Sequence, residues 1–262
     1  MLSSVIIMLR EVLEASLIIS VLLASSRFFS MSYRWIMHAA GIGFVAAVVL
    51  AFTMGDISEM FEGVGQELLI ALMLLSVSLM LGASCLNVAS HSINRTQELT
   101  NSKSIRLLFS AIVVVSIARE GTEILIYGYA FSFNLEMFLP VLMGGFIGAG
   151  IGASLGALIY FGLVNIPQWM VVRIITVLLT LMSASMASEA VLNLIQASWL
   201  PSMLPLWDSS KLLPESSVLG QLLHALVGYE ASPTVIQVGI YLFIVLGLAL
   251  ILRKQYKQSA VP

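Results

Sequence analysis

The chain has 262 residues, 59% apolar and only 10% charged, with a formal net charge of −2 and a mean hydropathy of +1.02. A water-soluble domain carries about 25% charged residues, so a soluble globule is excluded, as are a disordered chain and a nucleic-acid-binding basic face. The single cysteine, Cys85, excludes an internal disulfide and a cysteine-cluster metal site. What is left is an all-α polytopic membrane protein, a single transmembrane domain over 1–262.

Seven stretches have the roughly 20 apolar residues that a bilayer core requires: 4–24, 36–54, 65–86, 107–131, 138–162, 171–197 and 235–252. The first is interrupted by Arg10, Glu11 and Glu14 and lacks a basic leader, so it reads as a span, not a signal peptide. Between the second and third lie Asp56, Glu59 and Glu62, with Glu67 in the first turn of the third. The fourth carries Arg119, Glu120 and Glu123 at its middle. The fifth has Gly144, Gly148, Gly152 and Gly156 on one stripe, which lets another helix approach closely, within the chain by preference over a second subunit. The sixth contains Glu189. In the segment 198–234, Val218, Leu219, Leu222, Leu223 and Leu226 have helical spacing, which predicts an amphipathic helix on or dipping into the outer leaflet, available to a periplasmic partner. Gly228 is its expected stop and Ser232-Pro233 the expected start of the seventh span.

The charges orient these spans. Nine of the twelve basic residues fall in odd-numbered loops, the edge of the sixth span and the C-terminal tail, against Lys211 alone in even-numbered loops. Positive loops stay in the cytoplasm, which predicts the N-terminus outside and the C-terminus inside. The acids favour the other side, as suits a protein that collects cations.

An offset of 109 aligns three spans without a gap. Arg10-Glu11-x-x-Glu14 falls on Arg119-Glu120-x-x-Glu123, Gly41-Ile42-Gly43 on Gly150-Ile151-Gly152, and Leu72-Met73 on Leu181-Met182. Three spans per copy is odd, so the second copy enters from the opposite face. The expectation is a 3+3 inverted repeat (4–86 and 107–197) with the seventh span, 235–252, outside it and the substrate site at the repeat interface.

Each charge at a helix centre opposes insertion by about 2.5–3.5 kcal/mol. Two arginines would need two carboxylates, yet the two motifs hold four. The excess calls for a cation, protons or both. Glutamate oxygens suit Mg, Ca, Mn and Fe(III), tolerate Fe(II), and do not suit Cu(I). The arginines cannot deprotonate in a protein, so they hold neighbouring carboxylates ionised.

The two motifs R-E-V-L-E and R-E-G-T-E, with F-E-G-V-G-Q-E (61–67), W-D-S-S-K-L-L-P-E-S-S (207–217) and L-V-G-Y-E-A-S-P-T (226–234), resemble the oxidase-dependent iron permease family, in particular its bacterial subgroup with periplasmic copper-containing and iron-binding partners. The resemblance implies a high-affinity permease, not an enzyme, moving iron from periplasm to cytoplasm across the bacterial inner membrane, with iron as substrate and no permanently bound cofactor. It implies Glu11, Glu14, Glu120 and Glu123 as iron ligands beside Arg10 and Arg119, with Asp56, Glu59, Glu62 and Glu67 as outer collecting residues. It further implies a periplasmic iron-binding or copper-containing oxidising partner and a membrane ferredoxin-type subunit. The chain departs from the family pattern at Val12, at Thr122, whose hydroxyl offers an extra oxygen ligand, at Gly82-Ala83-Ser84-Cys85 in place of a Trp-His pair, and at Glu189, an additional acid read as a proton carrier or extra ligand. His38, His91 and His224 read as interfacial polar anchors, and Tyr127 and Tyr129 as interhelical hydrogen-bonding residues in preference to residues facing the path. The rival readings are a manganese or other divalent-cation transporter and a non-transporting membrane subunit.

Overall fold

The structure is a computed structural model that describes residues 2–29, 31–93, 102–132 and 135–259. Its elements are α1 (Leu2–Ser26), α2 (Arg34–Ser58), α3 (Gly65–Ile93), α4 (Ser102–Ser132), α5 (Leu135–Val164), α6 (Gln168–Gln196), the short α7 (Val218–Val227) and α8 (Val235–Ser259). No strand occurs among the described residues; one isolated bridge joins Pro205 to Thr234. The seven long helices contain the seven apolar stretches, save that α6 ends at Gln196, one residue short of the sixth. In hydrocarbon the backbone must satisfy its own hydrogen bonds, and a continuous helix does so.

On length and hydropathy alone, α2, α3, α5, α6 and α8 suffice to cross a bilayer. α1 and α4 are as long, at 25 and 31 residues, but each carries the three charges of its motif at its centre, so composition does not pass them. Large apolar side chains cover the outer faces of α2 (Phe44, Phe52), α5 (Phe146, Phe161) and α8 (Phe243, Leu246). Acyl chains, not water, suit such a surface, and the protein is a multi-pass membrane protein.

α1 lies at the centre, with Leu9, Leu13, Leu17, Val21 and Leu22 fully buried. It packs on α5, α4, α7 and α6. α1 and α5 run parallel: Ser16 Oγ lies 3.0 Å from the Gly152 carbonyl and Ser20 Oγ 2.7 Å from the Gly156 carbonyl. The glycine stripe thus meets α1 of the same chain. A Cβ at Gly152 would stand 3.0 Å from the Leu13 nitrogen, and one at Gly156 would stand 2.6 Å from Ser16 Oγ. α2 and α4 are likewise parallel, with Trp35 and Phe109 rings 6.1 Å apart at one end and Thr122 near the Ala47 carbonyl further along. α3 and α6 are antiparallel. Ser78 donates to the Ser183 carbonyl at 2.7 Å and Ser183 to the Ser78 carbonyl at 2.8 Å, a reciprocal pair that satisfies both hydroxyls without water.

The segment between α6 and α8 folds back on itself. Leu206 N donates to the Pro233 carbonyl and Ser209 N to the Ala231 carbonyl, both at 2.8 Å. Tyr229 Oη donates to the Leu213 carbonyl at 2.9 Å, and Glu215 Oε1 accepts from Ala231 N at 2.6 Å. α7 starts at Ser217, whose hydroxyl accepts from Gly220 N at 3.0 Å, and stops at Gly228, which takes φ +71°. It packs on α6 and α1 with Gly220, Gln221 and Ala225 buried.

Gly156→Leu is expected to separate α1 from α5 and lower the melting temperature in detergent by roughly 3–10 °C, the scale of about 1–3 kcal/mol of overpacking. Gly150→Leu, on the same helix with nothing within 4 Å of its would-be Cβ, is expected to leave it unchanged.

Candidate metal-ion site

α1 and α4 cross with Ser4 near Tyr127, whose hydroxyls lie 3.2 Å apart. This bears out Tyr127 as an interhelical hydrogen-bonding residue. One turn deeper on α4, the two charged motifs meet. Glu11, Glu14, Arg119 and Glu120 are all buried, and α6 adds the buried Glu189. Five carboxylates thus surround two guanidiniums, leaving three negative charges to be neutralised by something other than arginine.

The carboxylates divide by what they touch. Glu14 Oε1 accepts from Arg10 Nε at 3.1 Å, and Glu14 Oε2 accepts from Arg119 Nη1 at 3.3 Å. Glu189 Oε1 lies 3.7 Å from Arg10 Nη2 and also accepts from Arg119 Nη2. Glu14 and Glu189 therefore bridge the two arginines. Glu11, Glu120 and Glu123 form the other group: one carboxylate oxygen from each lies within 4.8 Å of the others. Glu120 and Glu123 each keep one contact to Arg119, at 2.8 and 3.5 Å. The second oxygens of Glu11 and Glu120 are buried with no hydrogen-bond partner, and the Glu123 side chain is 35% exposed.

Buried carboxylate oxygens without donors are costly unless a cation or proton occupies the space between them. Three oxygens at this spacing can converge on one hard or borderline cation, with water completing the shell. Arg119 holds the cluster together without entering it, since it offers only donors.

The structure thus brings together three of the four glutamates expected as ligands; Glu14 lies outside the triad, bound to both arginines. Glu189 stands in the same network as an arginine partner. The Thr122 hydroxyl, expected beside the ligands, lies 2.6 Å from the Ala118 carbonyl and 3.3 Å from the Ala47 carbonyl of α2. It fixes the α2–α4 contact, because a hydroxyl in an apolar interface takes the nearest backbone acceptor. Asp56, Glu59 and Glu62 are exposed and Glu67 partly so. They surround a turn in which Phe61, Glu62 and Gly63 take φ of +53°, +66° and +92°, at about 1–3 kcal/mol for each non-glycine residue.

The cavity that adjoins the charged network lies elsewhere. It has a volume of about 100 Å³ and is lined by Arg10, Glu189, Leu192, Glu215, Gln221, His224 and Glu230. His224 is not an interfacial anchor: its Nε2 lies 3.9 Å from Glu14 Oε1. Burial pushes the Glu230 carboxyl above its ordinary range, against the opposing hydrogen bond from the Gln237 amide. Glu215, Gln221, His224 and Glu230 all sit in or beside the two loop segments quoted from 198–234. The family resemblance marked those segments, but their folding onto α1 has no signal in spacing. The side chain of His91 lies outside the described residues.

Arg119→Met is expected to destabilise the protein by about 3–5 kcal/mol, because it strands Glu120 in the interior and leaves Glu14 and Glu189 to share Arg10 alone. Glu11→Gln, at a carboxylate with no ion pair to either arginine within 4.0 Å among the described residues, is expected to hold or raise the melting temperature. Thermal unfolding of the two variants in one detergent checks both.

The chain is 28% identical over 261 residues to a protein named ferrous iron permease EfeU from Yersinia pestis, covering 94% of this chain and 91% of that protein. It is 27% identical over 252 residues to the protein of the same name from Escherichia coli O6:K15:H31, covering 90% and 89%. No solved structure matches it. Residues 1–256 match the iron permease FTR1 family, and the chain belongs to that family.

Proposed function

We propose that this iron permease passes iron across the bacterial inner membrane through the Glu11–Glu120–Glu123 cluster, from the periplasm to the cytoplasm. The observation that carries the reading is the convergence of three carboxylate oxygens from two crossing helices within 4.8 Å, two of the three residues having a further buried oxygen with no partner. The relatives named above are called ferrous iron permeases, and oxygen ligands accept Fe(II), so Fe(II) is the proposed cargo. Glu14 and Glu189 keep Arg10 and Arg119 in place; they are supporting residues in this reading, and Thr122 supports the α2–α4 contact.

Seven spans with the N-terminus outside fit the geometry. α1 and α5 run parallel, as do α2 and α4, which is what alternating spans require. Under the 109-residue offset, α1 on α5 is the counterpart of α4 on α2. This exchange of partners supports an inverted repeat whose halves interlock, with the site at their interface. The 198–234 segment then lies on the outer side, and Asp56, Glu59, Glu62 and Glu67 form an exposed acidic rim there that raises local cation concentration. A periplasmic iron-binding or copper-containing oxidising partner and a membrane ferredoxin-type subunit belong to the same proposal. The membrane potential supplies about 2.3 kcal/mol per elementary charge per 100 mV for inward movement of a cation.

Proteoliposomes with an internal ferrous-iron reporter test this. Glu11→Gln and Glu120→Gln, checked for folding by gel filtration, are expected to lower the uptake rate by more than about tenfold, the scale on which loss of even supporting residues acts at metal sites. Uptake at the wild-type rate by folded Glu11→Gln would overturn the reading. Equal competition by Mn(II) would make the protein a general divalent-cation carrier, and absence of uptake by the wild-type protein would make it a non-transporting subunit.

A further inference from the structure

The cavity between α1, α6 and α7 contains chemistry that the carboxylate cluster lacks. His224 Nδ1 lies 2.9 Å from the Tyr229 carbonyl. A carbonyl oxygen only accepts, so Nδ1 carries the hydrogen, and in the neutral ring Nε2 is left with a free lone pair. Nε2 is buried and has no hydrogen-bond partner. This is the arrangement that holds a metal-ligating histidine: one ring nitrogen fixed by a backbone carbonyl, the other presented.

Two further buried side chains lining the same cavity have an unpartnered oxygen. Glu189 and Gln221 are 7% and 5% exposed. Glu189 gives Oε1 to the arginines and leaves Oε2 unpartnered, and Gln221 gives Nε2 to the Ile6 carbonyl at 3.2 Å and leaves Oε1 unpartnered. All three orphaned atoms are acceptors that no donor among the described residues reaches, and a cation supplies what is missing. Glu215 and Glu230 add two carboxylates to the wall, against one guanidinium from Arg10.

We propose that this cavity is a second metal-ion site, in which His224 Nε2, Glu189 Oε2 and Gln221 Oε1 take a divalent transition-metal ion on the side of the 198–234 segment before it reaches the Glu11–Glu120–Glu123 cluster. The proposal rests on the iron-permease reading for the direction of travel, not for the binding itself. It assigns a division of labour. An all-oxygen cluster accepts Mg(II) and Ca(II) as well as Fe(II), whereas an imidazole nitrogen favours the transition metal. Selection against the abundant hard cations therefore belongs to the cavity, and Arg10, which lines it and contacts Glu14, stands at the boundary between the two sites.

The test uses the full chain in lipid nanodiscs under anaerobic conditions, with Mn(II) as the probe. Pulsed EPR of the wild-type protein is expected to show an imidazole nitrogen coupled to Mn(II), and His224→Ala is expected to lose that coupling while keeping oxygen-bound Mn(II). Absence of nitrogen coupling in the wild type, or its persistence in folded His224→Ala, overturns the proposal. A second measurement needs no variant. Mn(II) is expected to slow carbethoxylation of His224 several-fold, with no effect on the exposed His38 and no protection by Ca(II); unchanged His224 modification, or equal protection by Ca(II), overturns it. The two readings fail separately. Iron uptake without nitrogen coupling leaves the permease and removes this site, while nitrogen coupling without uptake leaves the site and removes the permease.

Discussion

The Arg119 guanidinium lies in the interior with its side chain 7% exposed, contacting carboxylates from α1, α4 and α6. A charge that cannot be given up to a neighbour or to water must be surrounded by its counter-ions. That requirement brings Glu14 of α1, Glu120 and Glu123 of α4 and Glu189 of α6 to one point. The rest of the arrangement follows. Once those four carboxylates satisfy two arginines, Glu11 has no arginine of its own, and its position against Glu120 and Glu123 is tolerable only where a cation or protons can enter. The buried arginine is thus what makes the cluster both stable enough to fold and electrically incomplete.

Small residues let such a polar centre exist inside an apolar bundle. Gly152 and Gly156 allow α5 to lie directly against the α1 backbone, and Ser16 and Ser20 bond to the carbonyls exposed by that approach. Gly43 and Gly121 do the same between α2 and α4: a Cβ on Gly43 would meet Ile117 Cβ at 2.9 Å and one on Gly121 would meet Ala47 Cβ at 2.8 Å. The two close pairs clamp α1 and α4 from outside, so the charged faces of α1 and α4 are pressed together rather than separated by lipid. Van der Waals contact between small residues is what helix association in lipid relies on, and here it carries the cost of desolvating the charges.

The sequence made the charged motifs, the long apolar helices and the glycine stripe legible because each is local: a charge within an apolar run, a run of sufficient length, a residue every fourth position. It could not separate Glu14 from Glu11, because both lie on one face of α1 and only the position of Arg119 across the crossing distinguishes a counter-ion from a free carboxylate. Glu189 stood out as an extra acid, but its bond to Arg119 is a tertiary fact. His224 was the least legible. It sits on a ten-residue helix that only its apolar spacing announced, and its relation to Glu14 depends on the hydrogen bonds among 206–233 that fold the segment on itself and on the Gln221–Ile6 bond that ties it to α1. Composition also works against α1 and α4, because the charges that define the site lower the apolar score of the helices that bear it.

The two motifs are equivalent in sequence and unequal in surroundings. Arg10 is 45% exposed along its side chain while Arg119 is 7% exposed. Arg10 lines the cavity beneath α7, and Arg119 is sealed by Glu14, Glu120 and Glu189. Among the described residues the difference originates in the 198–234 segment, which adds acceptors and space beside Arg10. A symmetric crossing would bind a cation equally from either face and give it no direction. The segment that breaks the symmetry places two unpaired acceptors, on Gln221 and His224, and two further carboxylates, Glu215 and Glu230, beside Glu189 of α6, so the charge on that approach is set largely by a part of the chain that lies outside both motifs.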